Sequence, residues 1–187
     1  MRITRVELGR NPKPKRGYRL PFIGKLDIFQ GNHGEYSHFA KHYEKGITID
    51  DSFATDFAMP FGSVVVASRS GRVFGLEDNI STCYEGLDLL RGQGERVNYI
   101  LLKHQDEGFT VYSHLRLKGV VVKRGELVRQ GQVIAFTGKS GWIGPEPHLH
   151  FAAYESDLTN TIPVIFDENG IDERLSDMVK KEYFMSI

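Results

Sequence analysis

Short runs of β-branched and aromatic residues alternate with glycine-, proline- and charge-rich breaks along most of the chain. The runs are SVVVAS (63–68), GRVFGL (71–76), NYILLKH (98–104), FTVYSHL (109–115), VVVKRGELV (120–128), QVIAFTG (132–138) and HLHFAAYE (148–155). Runs of this composition bounded by turn-forming residues read as strands. Their spacing of roughly ten residues predicts an all-β fold, an antiparallel sandwich or barrel-like core with long loops. A helical period emerges only in GIDERLSDMVKKEYF (170–184), where Leu175, Met178, Val179 and Tyr183 share one face. It predicts a short C-terminal helix.

The 187 residues fit a single domain. Within it, 1–17 reads as an extended N-terminal segment, 18–155 as the core and 156–187 as a tail carrying the helix. Two stretches lack a clean period. Residues 78–95, with a short apolar patch at Leu87, Leu89 and Leu90, read as a surface loop. Residues 31–55 read as a second long loop holding His33, His38 and His42. Long loops without structure of their own are often functional.

Hydrophobic residues make up 40% of the chain and charged residues 26%, which suits a packed core and excludes disorder as the main state. Lys+Arg and Asp+Glu number 24 each, so the formal net charge is zero and nucleic-acid binding by phosphate neutralisation is not expected. Arg10, Lys13, Lys15 and Arg16 still form a local basic run. Cys83 is the single cysteine; it cannot form an internal disulfide and reads as a small buried or an incidental residue. No run approaches the ~18 consecutive apolar residues of a membrane span, and the first residues hold no apolar export-signal core. That leaves the compartment open, the cytoplasm included.

Seven histidines dominate the candidate chemistry. On a strand over 148–155, His148, His150, Ala152 and Tyr154 share one face while Leu149, Phe151 and Ala153 share the other. In FTVYSHL the same alternation groups Thr110, Tyr112 and His114, so a neighbouring strand would bring a third imidazole to the patch. Asp56 precedes a Pro-Phe-Gly turn and reads either as its cap or as a carboxylate ligand. Two histidines plus one carboxylate, with a fourth position left to water, is a catalytic zinc arrangement. Against it stands the plain reading of histidines on half-exposed strands. Trp142 in SGWIGPEPH reads as a loop residue, either groove wall or anchor, and His104 as a solvated residue before a turn.

The order DFAMPFGSVVVASRSGRV, VYSHL, V-x-x-G-x-x-V-x-x-G-Q-V-I-A-x-T-G and PHLHF resembles the LytM/lysostaphin-type zinc metallopeptidases, peptidase family M23, from about Tyr18 to Tyr154. The lead-in YRLPFIGKLDIFQGNHGEYSH resembles the subgroup in which a Ser-His pair precedes the DFAMP motif. The resemblance implies Asp56 and His150 as metal ligands and His114 and His148 as catalytic histidines. Many members place the third ligand four residues before the aspartate, where this chain has Ser52. In the Ser-His subgroup it lies further upstream, which points to His38, with His33 and His42 as substitutes. The 18 residues from His38 to Asp56 exceed the family's usual spacing and suggest an insertion around KHYEKGITI.

By the same resemblance, zinc would lower the pKa of a bound water to about 7 and polarise a scissile carbonyl, and His114 or His148 would handle the proton. The implied substrate is a peptide bond in peptidoglycan stems or cross-bridges, often glycyl or D-alanyl, and the implied location periplasmic or extracellular. The alternative is a non-catalytic LytM-like regulator or scaffold protein of the cell wall, motivated by Ser52. A third reading takes the 121–132 hairpin as a lipoyl-type carrier; Lys123 lacks the Met-Lys-Met context that such a carrier needs.

Overall fold

A computed structural model describes residues 3–24, 26–43, 46, 48–85, 96–144 and 146–167, and every regular element among them is a strand. The first six are β1 (Ile3–Val6), β2 (Lys15–Tyr18), β3 (Ile28–Gln30), β4 (Ala40–Tyr43), β5 (Thr48–Asp50) and β6 (Thr55–Ala58). Next come β7 (Val64–Val66), β8 (Gly71–Glu77), β9 (Cys83–Glu85), β10 (Tyr99–Lys103), β11 (Phe109–Ser113) and β12 (Leu115–Val120). The last are β13 (Leu127–Val128), β14 (Val133–Thr137), β15 (Gly141–Gly144), β16 (His148–Tyr154) and β17 (Val164–Phe166). The helix expected over 170–184 lies outside the described residues.

A seven-stranded antiparallel sheet in the order β13-β8-β10-β11-β16-β6-β3 carries the architecture, and a three-stranded sheet β12-β14-β7 packs with it. One core cluster joins Phe57, Ile100, Leu102, Tyr112, Leu149 and Phe151 of the larger sheet to Val65, Leu115, Ile134 and Ala135 of the smaller. Alternation along β16 divides its side chains as expected. Leu149, Phe151 and Ala153 enter this core, while Ala152 and Tyr154 join a second cluster with Ala54 and Phe109 on the other face. Tyr112 and Phe151 meet edge to face at 5.5 Å. Each such fully buried side chain contributes about 1.5–3 kcal/mol of transfer free energy.

The 31–55 stretch is more ordered than its pattern suggests. β4 and β5 form an antiparallel hairpin, and β1 adds to it in the order β1-β4-β5. This hairpin lies between His38 and Asp56, where the spacing suggests an insertion. Strands of three or four residues show too little period to be read, and β1 comes from far away in sequence. Likewise 83–85 is not loop but a strand parallel to β15, which places Trp142 in a strand as well, and Cys83 is exposed rather than buried. The tail begins with β17, parallel to β2.

His104 is buried, not solvated: its Nδ1–H donates to the Ser70 carbonyl at 3.0 Å and Nε2 lies 3.0 Å from Thr110 Oγ1. Burial pushes its pKa below the ordinary histidine value, aided by the Arg69 charge. The basic run is also dispersed by partners. Arg10 pairs with Asp50 at 2.8 Å, Lys15 with Asp106 at 3.5 Å and Arg16 with Asp167 at 3.6 Å.

Candidate metal centre

Antiparallel pairing of β16 with β6 sets His150 directly opposite Asp56. Directly opposed residues share a face, here the one turned away from the Leu149–Phe151–Ala153 row. His150 Nδ1 lies 2.9 Å from Asp56 Oδ1. His148, two residues earlier on that face, brings Nε2 to 3.7 Å from Asp56 Oδ2. Asp56 does not cap the following turn; it is 2% exposed in the middle of three imidazoles.

The third imidazole is His38, between β3 and β4. The Gly31 carbonyl, 2.8 Å from its Nδ1, can only accept, so Nδ1 carries the proton and Nε2 the lone pair. Nε2 is buried without a hydrogen-bond partner, 3.2 Å from Asp56 Oδ2. Nε2 and the carboxylate, facing each other out of water at this range, need a cation to join them, either a proton on Nε2 or a metal ion. Burial works to lower the His38 pKa, but the Asp56 charge outweighs it and the net shift is upward. For Asp56, burial would raise the pKa; the neighbouring His38 and His148 reverse that and hold the carboxyl well below its usual range.

One ligand atom each from His38, Asp56 and His150 lie within 4.8 Å of one another. Two imidazoles and one carboxylate are the donor set of a zinc ion with one open position. The residues present therefore fit a catalytic metal of that kind. His33 and His42 stand outside this group: His33 packs on Phe53, and His42 lies on the exposed hairpin, 3.0 Å from Thr48 Oγ1.

His114 reaches the site by a different route from the one alternation suggests. Tyr112 faces the core opposite Phe151, and Ser113 is the residue opposite His150. Strict alternation would send His114 to the core side. Its backbone instead turns left-handed, φ 61°, and its ring stands 4.7 Å from that of His148 and 6.0 Å from that of His150. A non-glycine residue held there stores strain of a kind found at functional sites. Its Nδ1–H donates to the Ser140 carbonyl at 3.0 Å. Burial, then the charges of His148 and His150, push its pKa down to about 3.

His148 is fixed from two sides. Its Nδ1–H donates to the Glu146 carbonyl at 2.9 Å, and Phe29 stacks on its ring at 5.5 Å, with Tyr36 stacked on Phe29 in turn. Sequence reasoning missed Phe29, Tyr36, Gln30 and Asp51. Gln30 donates to Asp56 Oδ2 at 3.0 Å. Asp51 accepts from Lys41 Nζ at 3.0 Å and from Tyr154 Oη at 2.7 Å, tying the inserted hairpin to β16. Burial would raise the Asp51 pKa; Lys41 and His150 hold it below the ordinary range instead. Phe29, Gln30 and Tyr36 lie in the lead-in that resembles the Ser-His subgroup, but neither residue type nor spacing marks them there, and Asp51 lies in no motif.

Comparison with known proteins matches residues 51–162 to Peptidase family M23. The peptidoglycan DD-endopeptidase ShyB of Vibrio cholerae is 34% identical over 97 residues, which are 52% of this chain and 19% of ShyB. The match thus spans about a fifth of that relative's length. A zinc containing peptidase from Vibrio cholerae shares the fold at a TM-score of 0.52 and 24% identity, over 80% of this chain and 39% of that one. Lysostaphin from Staphylococcus simulans gives a TM-score of 0.50 at 25% identity, over 78% of this chain and 50% of that one. With the match covering more than half of the chain, the protein belongs to peptidase family M23.

Proposed function

We propose that the chain is a zinc-dependent endopeptidase that hydrolyses peptide bonds in peptidoglycan stems or cross-bridges. Zinc would be held by His38, Asp56 and His150, and His38 following Ser37 would put the chain in the Ser-His subgroup. The observation that carries the reading is His38 Nε2, buried, without a hydrogen-bond partner and turned toward the Asp56 carboxylate. The substrate class rests on relatives such as ShyB, a peptidoglycan DD-endopeptidase by name. The same relatives support a site of action outside the cytoplasm, in the periplasm or beyond the cell.

Zinc bound there would supply a polarised carbonyl and a water whose pKa is lowered to about 7. The chain's own residues supply proton transfer. In His114 and His148 alike, Nδ1–H donates to a backbone carbonyl, so each presents the Nε2 lone pair to the site. With ring centroids 4.7 Å apart, the two divide the work: His148 can accept the proton lost by the attacking water and return it to the departing amine, while His114, kept neutral by burial, accepts a hydrogen bond beside it.

The test is digestion of purified peptidoglycan by the zinc-loaded protein, with muropeptides separated by chromatography and new amino groups counted. Cross-linked dimers should give way to monomers. If the protein carries one equivalent of zinc and the muropeptide pattern stays unchanged, with no new amines, the reading fails.

A further inference from the structure

The two sides of the site are joined by one side chain. Gln30 ends β3 opposite Asp56 in the sheet register and is 6% exposed. Its Oε1 accepts from the backbone N–H groups of Tyr36 at 2.8 Å and Ser37 at 3.2 Å. Its Nε2 lies 2.9 Å from Ser37 Oγ and donates to Asp56 Oδ2 at 3.0 Å. Only one amide orientation satisfies these partners. Flipped, the oxygen would face a carboxylate and the NH2 group two N–H donors.

We infer that Gln30 is a positioning residue that locks the His38 loop to the Asp56 carboxylate and thereby sets metal affinity. The inference rests on the proposed metal centre of His38, Asp56 and His150. The residue next to ligand His38 is pinned through its backbone, and the same amide occupies one lone pair of Asp56 Oδ2, the oxygen that faces His38 Nε2. The loop is also shaped around this side chain. A Cβ at Gly34 would stand 2.1 Å from Gln30 Cγ and 2.7 Å from Oε1, so a larger residue there would expel the amide. Groups that orient ligands in this way are worth about 10–100-fold in metal affinity.

Zinc affinity of the full chain, measured by competition with a chromophoric chelator, tests this alongside urea unfolding of the metal-free protein. Gln30→Ala and Gly34→Ala should each weaken zinc binding by about 10–100-fold. The double variant should bind no more weakly than Gln30→Ala, because the three atoms nearest a Cβ at position 34 are Cγ, Cδ and Oε1 of Gln30, and Gln30→Ala removes all three. Unchanged affinity in Gly34→Ala, or single effects that add in the double variant, would overturn the inference. So would variants that lose only stability and keep wild-type affinity. Should Gln30→Ala fail to fold, Gly34→Ala still decides. A wild-type protein that binds no zinc overturns the metal centre itself, whereas normal wild-type binding with unaffected variants overturns Gln30 alone.

Discussion

The candidate site has two halves built on different principles. Asp56, His148 and His150 stand on neighbouring strands of the seven-stranded sheet, where register alone sets Asp56 opposite His150. Beneath them lie Leu149 and Phe151, fully packed in the core. His38 instead arrives on the 31–38 segment, held by hydrogen bonds to Gly31 and around Gln30. One half is rigid because the fold is; the other is rigid only as far as a few polar contacts make it. On the proposed reading, metal binding would order the second half more than the first, since binding free energy and ordering free energy are linked.

The largest effect should come from the proton-handling pair on the sheet side. His114→Ala and His148→Ala should each keep one equivalent of zinc yet lower peptidoglycan hydrolysis about 10²–10⁴-fold. Loss of zinc together with activity would make the residue a ligand and blur the division. The sheet half should also carry the stability. Phe151→Ala removes a ring 1% exposed and should cost about 3–5 kcal/mol in urea unfolding of the metal-free protein. A cost near that of a surface substitution, about 0.5 kcal/mol, would break the comparison.

Hydrogen exchange sharpens it further. Zinc should raise protection in residues 31–38, while amides of β10 and β11 change little. The inserted hairpin should respond less than the loop, because β4 is already bonded to both β1 and β5. Equal protection of 31–38 with and without zinc would show a preformed loop. The smallest effect lies at His104. Its pKa is depressed in the folded state, so its contribution is present above the unfolded value of about 6.5 and is lost as pH falls below it. Stability of the metal-free protein should therefore fall more steeply from pH 7 to 5 than that of His104→Gln, by at most about 1.4 kcal/mol per pH unit. Parallel pH profiles would contradict a buried neutral His104.

How much of this was legible in the sequence follows the same division. The strands β8, β10, β11, β14 and β16 are long enough to show their period, and the faces of β16 were read correctly. The small sheet β1-β4-β5 was not, because its strands have three or four residues and β1 pairs with β4 from far away in sequence. His114 was placed beside the HLH pair for the wrong reason, since alternation points it into the core and a left-handed backbone turns it out. His104 read as solvated because a turn follows it; only the fold reveals Ser70 and Thr110 around its ring. Gln30 was invisible, as hydrogen bonds from one amide to a loop and to a carboxylate leave no periodic trace.

The central claim is that His38 on the loop completes a metal centre with Asp56 and His150 on the sheet. The most direct measurement is the anomalous scattering of a zinc-loaded crystal across the zinc absorption edge. The account predicts one peak, about 2.0–2.2 Å from a nitrogen of His38, a nitrogen of His150 and an oxygen of Asp56. A peak bound by His33 or His42 in place of His38, or none among these residues, would contradict it.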